Sequence, residues 1–143
     1  MRIILSLTIL LLSTQLSAQL QYLNSVEETQ ALSEEVTANF KDFEFSKAFN
    51  GLRKYWPLPD NEIDNIEQQS LKYLNLIKDR FGKTLRYKKI KNETISDIAV
   101  RETYLIQFEY TAVRVIFTYY KNDNGWLVNA FKWDDQFTQE FKE

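Results

Sequence analysis

The groups through which this chain could do chemistry are phenols, carboxylates, amines and hydroxyls, because its 143 residues include neither cysteine nor histidine. That absence removes disulfides, thiolate nucleophiles, Ser-His-Asp and Cys-His pairs, the usual zinc ligand sets and a histidine pH switch. Among the groups that remain, Tyr104, Tyr119 and Asn129 fall where three adjacent strands would bring them into one inward row. Two hydroxyls and an amide beside Phe117, Phe131 and Trp133 have the make-up of a small-molecule site: a mostly apolar cavity with a few placed polar groups. The plainer reading is that these groups hydrogen-bond one another or the helix ends and bind nothing. The acids Glu102, Asp123, Asp134 and Asp135 could supply a metal ligand or a general base. However, Asn122-Asp123-Asn124-Gly125 lacks the alternating oxygen ligands and closing glutamate of a calcium loop, and neighbouring Asp134 and Asp135 on a strand point to opposite faces. A solvated turn is the better reading, so no catalytic residue, metal ligand or cofactor is assigned.

For the row to form, strands must carry it in register. From Thr84 onward the chain turns to period two and β-rich composition, which predicts strands over about Leu85 to Ile90, Ile98 to Glu109, Val113 to Lys121 and Trp126 to Trp133. Their short connections favour an antiparallel meander. A tight loop at Thr111-Ala112 would set Tyr104 opposite Tyr119, Ile106 opposite Phe117, Phe108 opposite Val115 and, on the other face, Glu109 opposite Arg114. Thr-Ala is poor turn chemistry, and a slip by two would keep the same faces inside. A three-residue loop at Asp123 to Gly125 would set Tyr119 opposite Asn129, Phe117 opposite Phe131 and Val115 opposite Trp133. A loop of another length would instead turn Trp126, Val128 and Ala130 inward and dissolve the row. The outer face would carry Ile116, Tyr120 and Trp126 with Leu105 and Val128, more apolar than a solvated face needs. A surface for self-association or for an exported protein partner would explain it. The Lys88-Lys89-Ile90-Lys91 run reads as an exposed first strand kept soluble by charge.

Helices must precede this sheet. Ser25 and Glu28 form a capping box, Leu32, Val36, Phe40 and Phe43 follow at helical spacing, and Phe45, Phe49, Leu52 and Trp56 repeat that spacing on a shifted face. Trp56-Pro57-Leu58-Pro59 stops the run. Asp60 is expected to cap a second long helix with Ile63, Ile66, Ser70, Tyr73 and Ile77 along one stripe and Gly82 ending it. Helices first and four strands second predict an α+β domain, with N-terminal helices packed on one face of a curved four-stranded antiparallel sheet.

The remaining constraints are address and partner. The first residues, Arg2, an apolar run from Ile3 to Leu12 and small Ser17 and Ala18, have the layout of a secretory signal. Residues 1–18 are therefore expected to be a signal peptide and 19–143 one domain, periplasmic or secreted, with no stable membrane anchor after cleavage, since about ten apolar residues are too few to span a bilayer. A net charge of −2, with lysine and arginine scattered among acids, gives no basic field for a phosphate backbone, so nucleic acid is not an expected partner. With 44% hydrophobic and 15% aromatic residues, large flat side chains must dominate the core.

This order, with Trp56 ending the first helical region, Gly82 closing the second and Asn122-Asp123-Asn124-Gly125-Trp126 opening the last strand, resembles the nuclear transport factor 2-like (cystatin-like) superfamily. The resemblance covers roughly Phe43 to Trp133 and is closest to small exported bacterial members to which no function is assigned. It implies a cone-like fold, dimerisation through the sheet and a small molecule held between helices and sheet. The enzymatic members carry Asp, His or Tyr in the cone, and this chain has no histidine to take that part. The reading is an exported, non-enzymatic binding or interaction domain that holds a small apolar ligand and forms a homodimer through the sheet. The alternatives are a small-molecule enzyme using tyrosine and carboxylate acid-base chemistry, which needs a carboxylate of perturbed pKa inside the cone beside a tyrosine hydroxyl, and an inhibitor or immunity-type protein with a conspicuous outer patch.

Overall fold

Ser25 starts the first helix, α1 (Val26–Lys41), by accepting the Glu28 N–H at 3.3 Å. The Glu28 carboxylate reaches back one residue further than a capping box requires and accepts the Asn24 N–H at 2.7 Å. The computed structural model describes residues 19–141, so the expected signal segment lies outside the described residues. The aromatic run that follows α1 is interrupted. Phe43 takes a left-handed φ of 60°, and Glu44 N–H closes back on the Asn39 carbonyl at 2.9 Å. The Phe43 ring is held edge-on against Phe45 and Phe108, which offsets the strain of that conformation in a residue with a Cβ. A separate helix, α2 (Phe45–Arg53), then buries Phe45, Ala48, Phe49 and Leu52. The third, α3 (Asp60–Phe81), begins after the Pro57 and Pro59 punctuation, but its N-cap is Pro59 and no side chain caps it. Asp60 sits inside the first turn and pairs with Arg53 instead, a correction to the expected cap.

Four strands form an antiparallel meander, β1 (Thr84–Ile95), β2 (Ala99–Phe108), β3 (Ala112–Asn122) and β4 (Gly125–Asp134), ordered as in the chain. Helix α1 lies across β1, β2 and β3, α2 packs on α1 and α3, and one hydrophobic core joins the helices to a single face of the sheet. The architecture is α+β, as expected. Its centre is aromatic: Phe49 and Phe117 meet Phe131 at 5.6 and 5.2 Å, and Tyr104 meets Phe117 edge-on at 5.8 Å. Among the described residues no helix is long and apolar enough to cross a membrane.

Both hairpin registers differ from expectation, for identifiable reasons. The β2–β3 turn centres on Glu109-Tyr110 rather than Thr111-Ala112, because Glu109 N–H bonds the Lys83 carbonyl and Tyr110 N–H bonds the Phe81 carbonyl at the end of α3. Gly82 permits that contact. It holds φ 76°, and a Cβ there would lie 2.6 Å from the Glu109 Cβ. Tyr104 therefore pairs with Val115, Leu105 with Arg114, and Val100 with Tyr119. The displacement is even, so the inner face is unchanged. At β3–β4, Asn122 pairs with Gly125 around a two-residue loop, and a β-bulge at Asn129 then restores the expected pairs of Phe117 with Phe131 and Val115 with Trp133. Gly125, at φ 136°, admits the Leu23 carbonyl where a Cβ would lie 2.6 Å away. Leu23 and Trp126 bond each other through both backbone groups.

The outer face is less apolar than expected as a result. Trp126 is 4% exposed and Val128 is fully buried, both turned inward, while Tyr120 remains 49% exposed and Ile116 and Leu105 are half-buried. A short 3-10 turn at Phe137–Glu140 packs on β3. Its Glu140 pairs with Lys91 and Arg114, and Arg114 also takes the Asp134 carboxylate, so an ionic network crosses this face.

Candidate functional site

The polar groups inside the molecule sit beneath α1. Thr29, Ser33 and Thr37 recur at four-residue spacing on α1 and are fully buried, small enough to let the helix approach the sheet closely. Thr29 and Thr37 return their hydroxyl protons to carbonyls of their own helix at 2.7 Å. Ser33 reaches across to the Tyr119 hydroxyl at 2.7 Å. On β2, Glu102 and Tyr104 share the inner face, both with no exposed surface. Lys89 from β1 places its Nζ 3.1 Å from Glu102 Oε1 and 5.9 Å from the centre of the Tyr104 ring. Glu102 Oε2 and the Tyr104 hydroxyl have no hydrogen-bond partner among the described residues. Burial first, and then the nearby Glu102 carboxylate, raise the Tyr104 hydroxyl above its ordinary value. Burial raises the Tyr119 hydroxyl likewise, against the lowering effect of Ser33. Both tyrosines are therefore neutral phenols at physiological pH, able to donate and accept hydrogen bonds and unsuited to act as bases.

An open groove lies at the other end of the same sheet face. It has a volume of about 620 Å³ and runs between α3 and the outer edge of β4, walled by Ile66, Ser70, Tyr73, Leu76, Phe131 and Trp133. Trp133 is oriented from both sides. Its Nε1–H donates to Ser70 Oγ at 2.9 Å, and its ring lies 5.3 Å from Tyr73. Leu76 is 70% exposed at the rim. Lys72, Lys132 and Asp134 add charge to the lining.

The expected row of Tyr104, Tyr119 and Asn129 does not form. Tyr104 lies in register with Val115 and Trp133, Tyr119 with Val100 and Val128, and the row between them is Glu102, Phe117 and Phe131. Asn129 is the extra residue of the bulge and is exposed, so its expected inward position is corrected. Tyr104, Phe117 and Tyr119 are enclosed core, while Phe131 and Trp133 reach the groove. Of the expected interface residues, Ile116 and Tyr120 stay on the outer face and Trp126 does not. Glu102, grouped from the sequence with Asp123, Asp134 and Asp135 as acids to which no site role is assigned, is the largest departure, since it lies wholly inside. Strand alternation carried the signal, since Glu102 stands two residues before inward Tyr104.

No family model matches the chain, and no curated protein matches it. Among solved structures, one from Thiobacillus denitrificans, with the provisional description of a calcium/calmodulin-dependent protein kinase type II association domain, is similar with a TM-score of 0.49 and 10% identity, covering 79% of this chain and 96% of that one. A likeness of that degree bears on neither activity nor partner.

Proposed function

We propose that the protein is an exported, non-enzymatic binding domain of the nuclear transport factor 2-like kind, whose ligand seats in the groove between α3 and β4. The groove carries this reading: about 620 Å³ of open volume, an oriented tryptophan and an exposed leucine at the rim suit a ligand with an apolar body. Export rests on the layout of residues 1–18. An enzyme of the tyrosine and carboxylate kind would have its groups in Tyr104 and Glu102, but these are wholly buried and the carboxylate is already paired with Lys89. Self-association through the sheet keeps Ile116 and Tyr120 as its surface without Trp126. The groove reading is tested with anilinonaphthalene sulfonate, a dye that fluoresces on entering apolar sites. Saturable binding at one site per chain is expected, and Leu76→Gln, at an exposed position, should weaken it about fivefold with an unchanged melting temperature. An absence of saturable binding, or binding indifferent to Leu76, would overturn it.

A further inference from the structure

The free part of the β4 edge has the geometry to accept another strand. Leu23 already occupies the start of that edge, donating to the Trp126 carbonyl at 3.0 Å and accepting its N–H at 2.8 Å. Val128 N–H, two residues on, is taken by the Tyr55 carbonyl at 2.9 Å. Trp126 and Val128 thus turn their backbone groups away from β3, as alternate residues of an antiparallel strand do. The single extra residue at Asn129 shifts that alternation by one. Beyond the bulge, Phe131 and Trp133 are the outward residues, and their backbone groups have no partner outside the sheet among the described residues. The groove borders this open stretch.

Charge narrows the occupant. Asp134 is fully engaged, accepting from Arg114 Nε at 3.1 Å and Nη2 at 2.7 Å and from the Gln136 N–H at 2.9 Å. Lys72 and Lys132 are exposed and have no ion pair among the described residues. The field that the groove offers to a ligand is therefore positive. The opposite edge of the sheet, β1, carries Lys88, Lys89 and Lys91 along its length, which discourages an added strand.

We propose that the groove binds an extended peptide, alternately apolar and acidic, that adds to β4 as a further strand. Its backbone pairs with Phe131 and Trp133, its apolar side chains lie over Trp133 and Tyr73 against α3, and its acidic side chains, on the opposite face of the added strand, lie beside Lys132, which shares the outer face with Ile116. The proposal rests on the groove being the binding site. It is tested with capped heptapeptides that alternate valine, leucine or phenylalanine with glutamate, titrated while the Phe131 and Trp133 amide resonances are followed. Binding should slow hydrogen exchange at both amides. Methylating the peptide nitrogens that face β4 should weaken binding about tenfold per site, and methylating the alternate nitrogens should leave it unchanged. Replacing Lys132 by glutamine should weaken the glutamate peptides about threefold and leave glutamine versions unaffected. Dye binding with no peptide binding up to millimolar concentration would overturn the added strand alone, as would peptide binding indifferent to which nitrogens are methylated. Failure of dye and peptides together would overturn the groove as well.

Discussion

Two regions between helix and sheet, built from similar residues, have opposite characters. Beneath α1, Ser33, Tyr119, Glu102 and Tyr104 are sealed. Beneath α3, Ser70, Trp133 and Tyr73 stand around an open groove. Each region has a serine hydroxyl bonded to an aromatic side chain across the interface, at 2.7 Å in the first and 2.9 Å in the second. The difference lies in the helix face. Helix α1 presents threonines and serine over the middle strands, whereas α3 presents Tyr73 and Leu76 beside the edge strand, where no further strand closes the gap. Polar chemistry alone therefore does not mark a binding site. In the sealed region it ties a helix to a sheet, and in the open one it leaves an aromatic face free to be covered.

The largest expected effect is at the buried ion pair. Lys89→Met leaves the Glu102 carboxylate enclosed without its counter-charge, and about 3–5 kcal/mol of stability should be lost in urea unfolding. Adding Glu102→Leu to that variant should restore most of it, because a matched apolar pair removes the stranded charge. A loss below about 1 kcal/mol for Lys89→Met would mean that water reaches Glu102, and the contrast between closed and open regions would fail.

The two serines make a direct comparison of the next size. Ser33→Ala strips the buried Tyr119 hydroxyl of its partner and should lower stability by about 1–3 kcal/mol. Ser70→Ala does the same to the indole of Trp133, but Trp133 is only half-buried, so water can replace the serine and the loss should stay under about 1 kcal/mol. Equal losses in thermal unfolding would place both interfaces in the same class.

Acid should act on the outer face. Burial pushes the Asp134 and Glu140 carboxyls up, but hydrogen bonds from Arg114 to both, from the Gln136 N–H to Asp134 and from Lys91 to Glu140 outweigh it and hold both below the ordinary carboxylate range. A folded value below the unfolded one adds stability that is fully present above about pH 4–5 and lost as the pH falls through the folded values. The Phe137–Glu140 turn should therefore loosen in acid, read as faster amide exchange there, and Arg114→Gln should flatten that pH dependence. An unchanged profile in the variant would show that the network contributes nothing. The smallest effect is at Asn129. Exposed on the bulge, it should tolerate leucine within about 0.5 kcal/mol, and a loss above about 1 kcal/mol would return it to the inner row.

Much of the architecture was legible because its signals are local. The Ser25 cap, the proline stop before α3, the glycine ending it and the period-two strands each depend on a few neighbouring residues, and each appears near its expected place. The candidate site was legible only in part. Phe131 and Trp133 keep the pairing expected of them because the bulge restored it, and both line the groove, while Asn129 was misplaced by that same extra residue. Ser33 was passed over because a serine between Leu32 and Glu34 carries no mark of facing a tyrosine 86 positions away.

What the sequence by itself determined is which elements form and which strand faces are apolar, since backbone spacing and side-chain alternation operate over a few residues. What only the tertiary structure decided is the row each inward group joins and whether that row is closed. An even displacement of a hairpin preserves its faces, so alternation cannot tell Tyr104 opposite Tyr119 from Tyr104 opposite Val115. That choice was made by contacts distant in the chain: the Glu109-Tyr110 turn seated at Gly82, and Leu23 passing over Gly125.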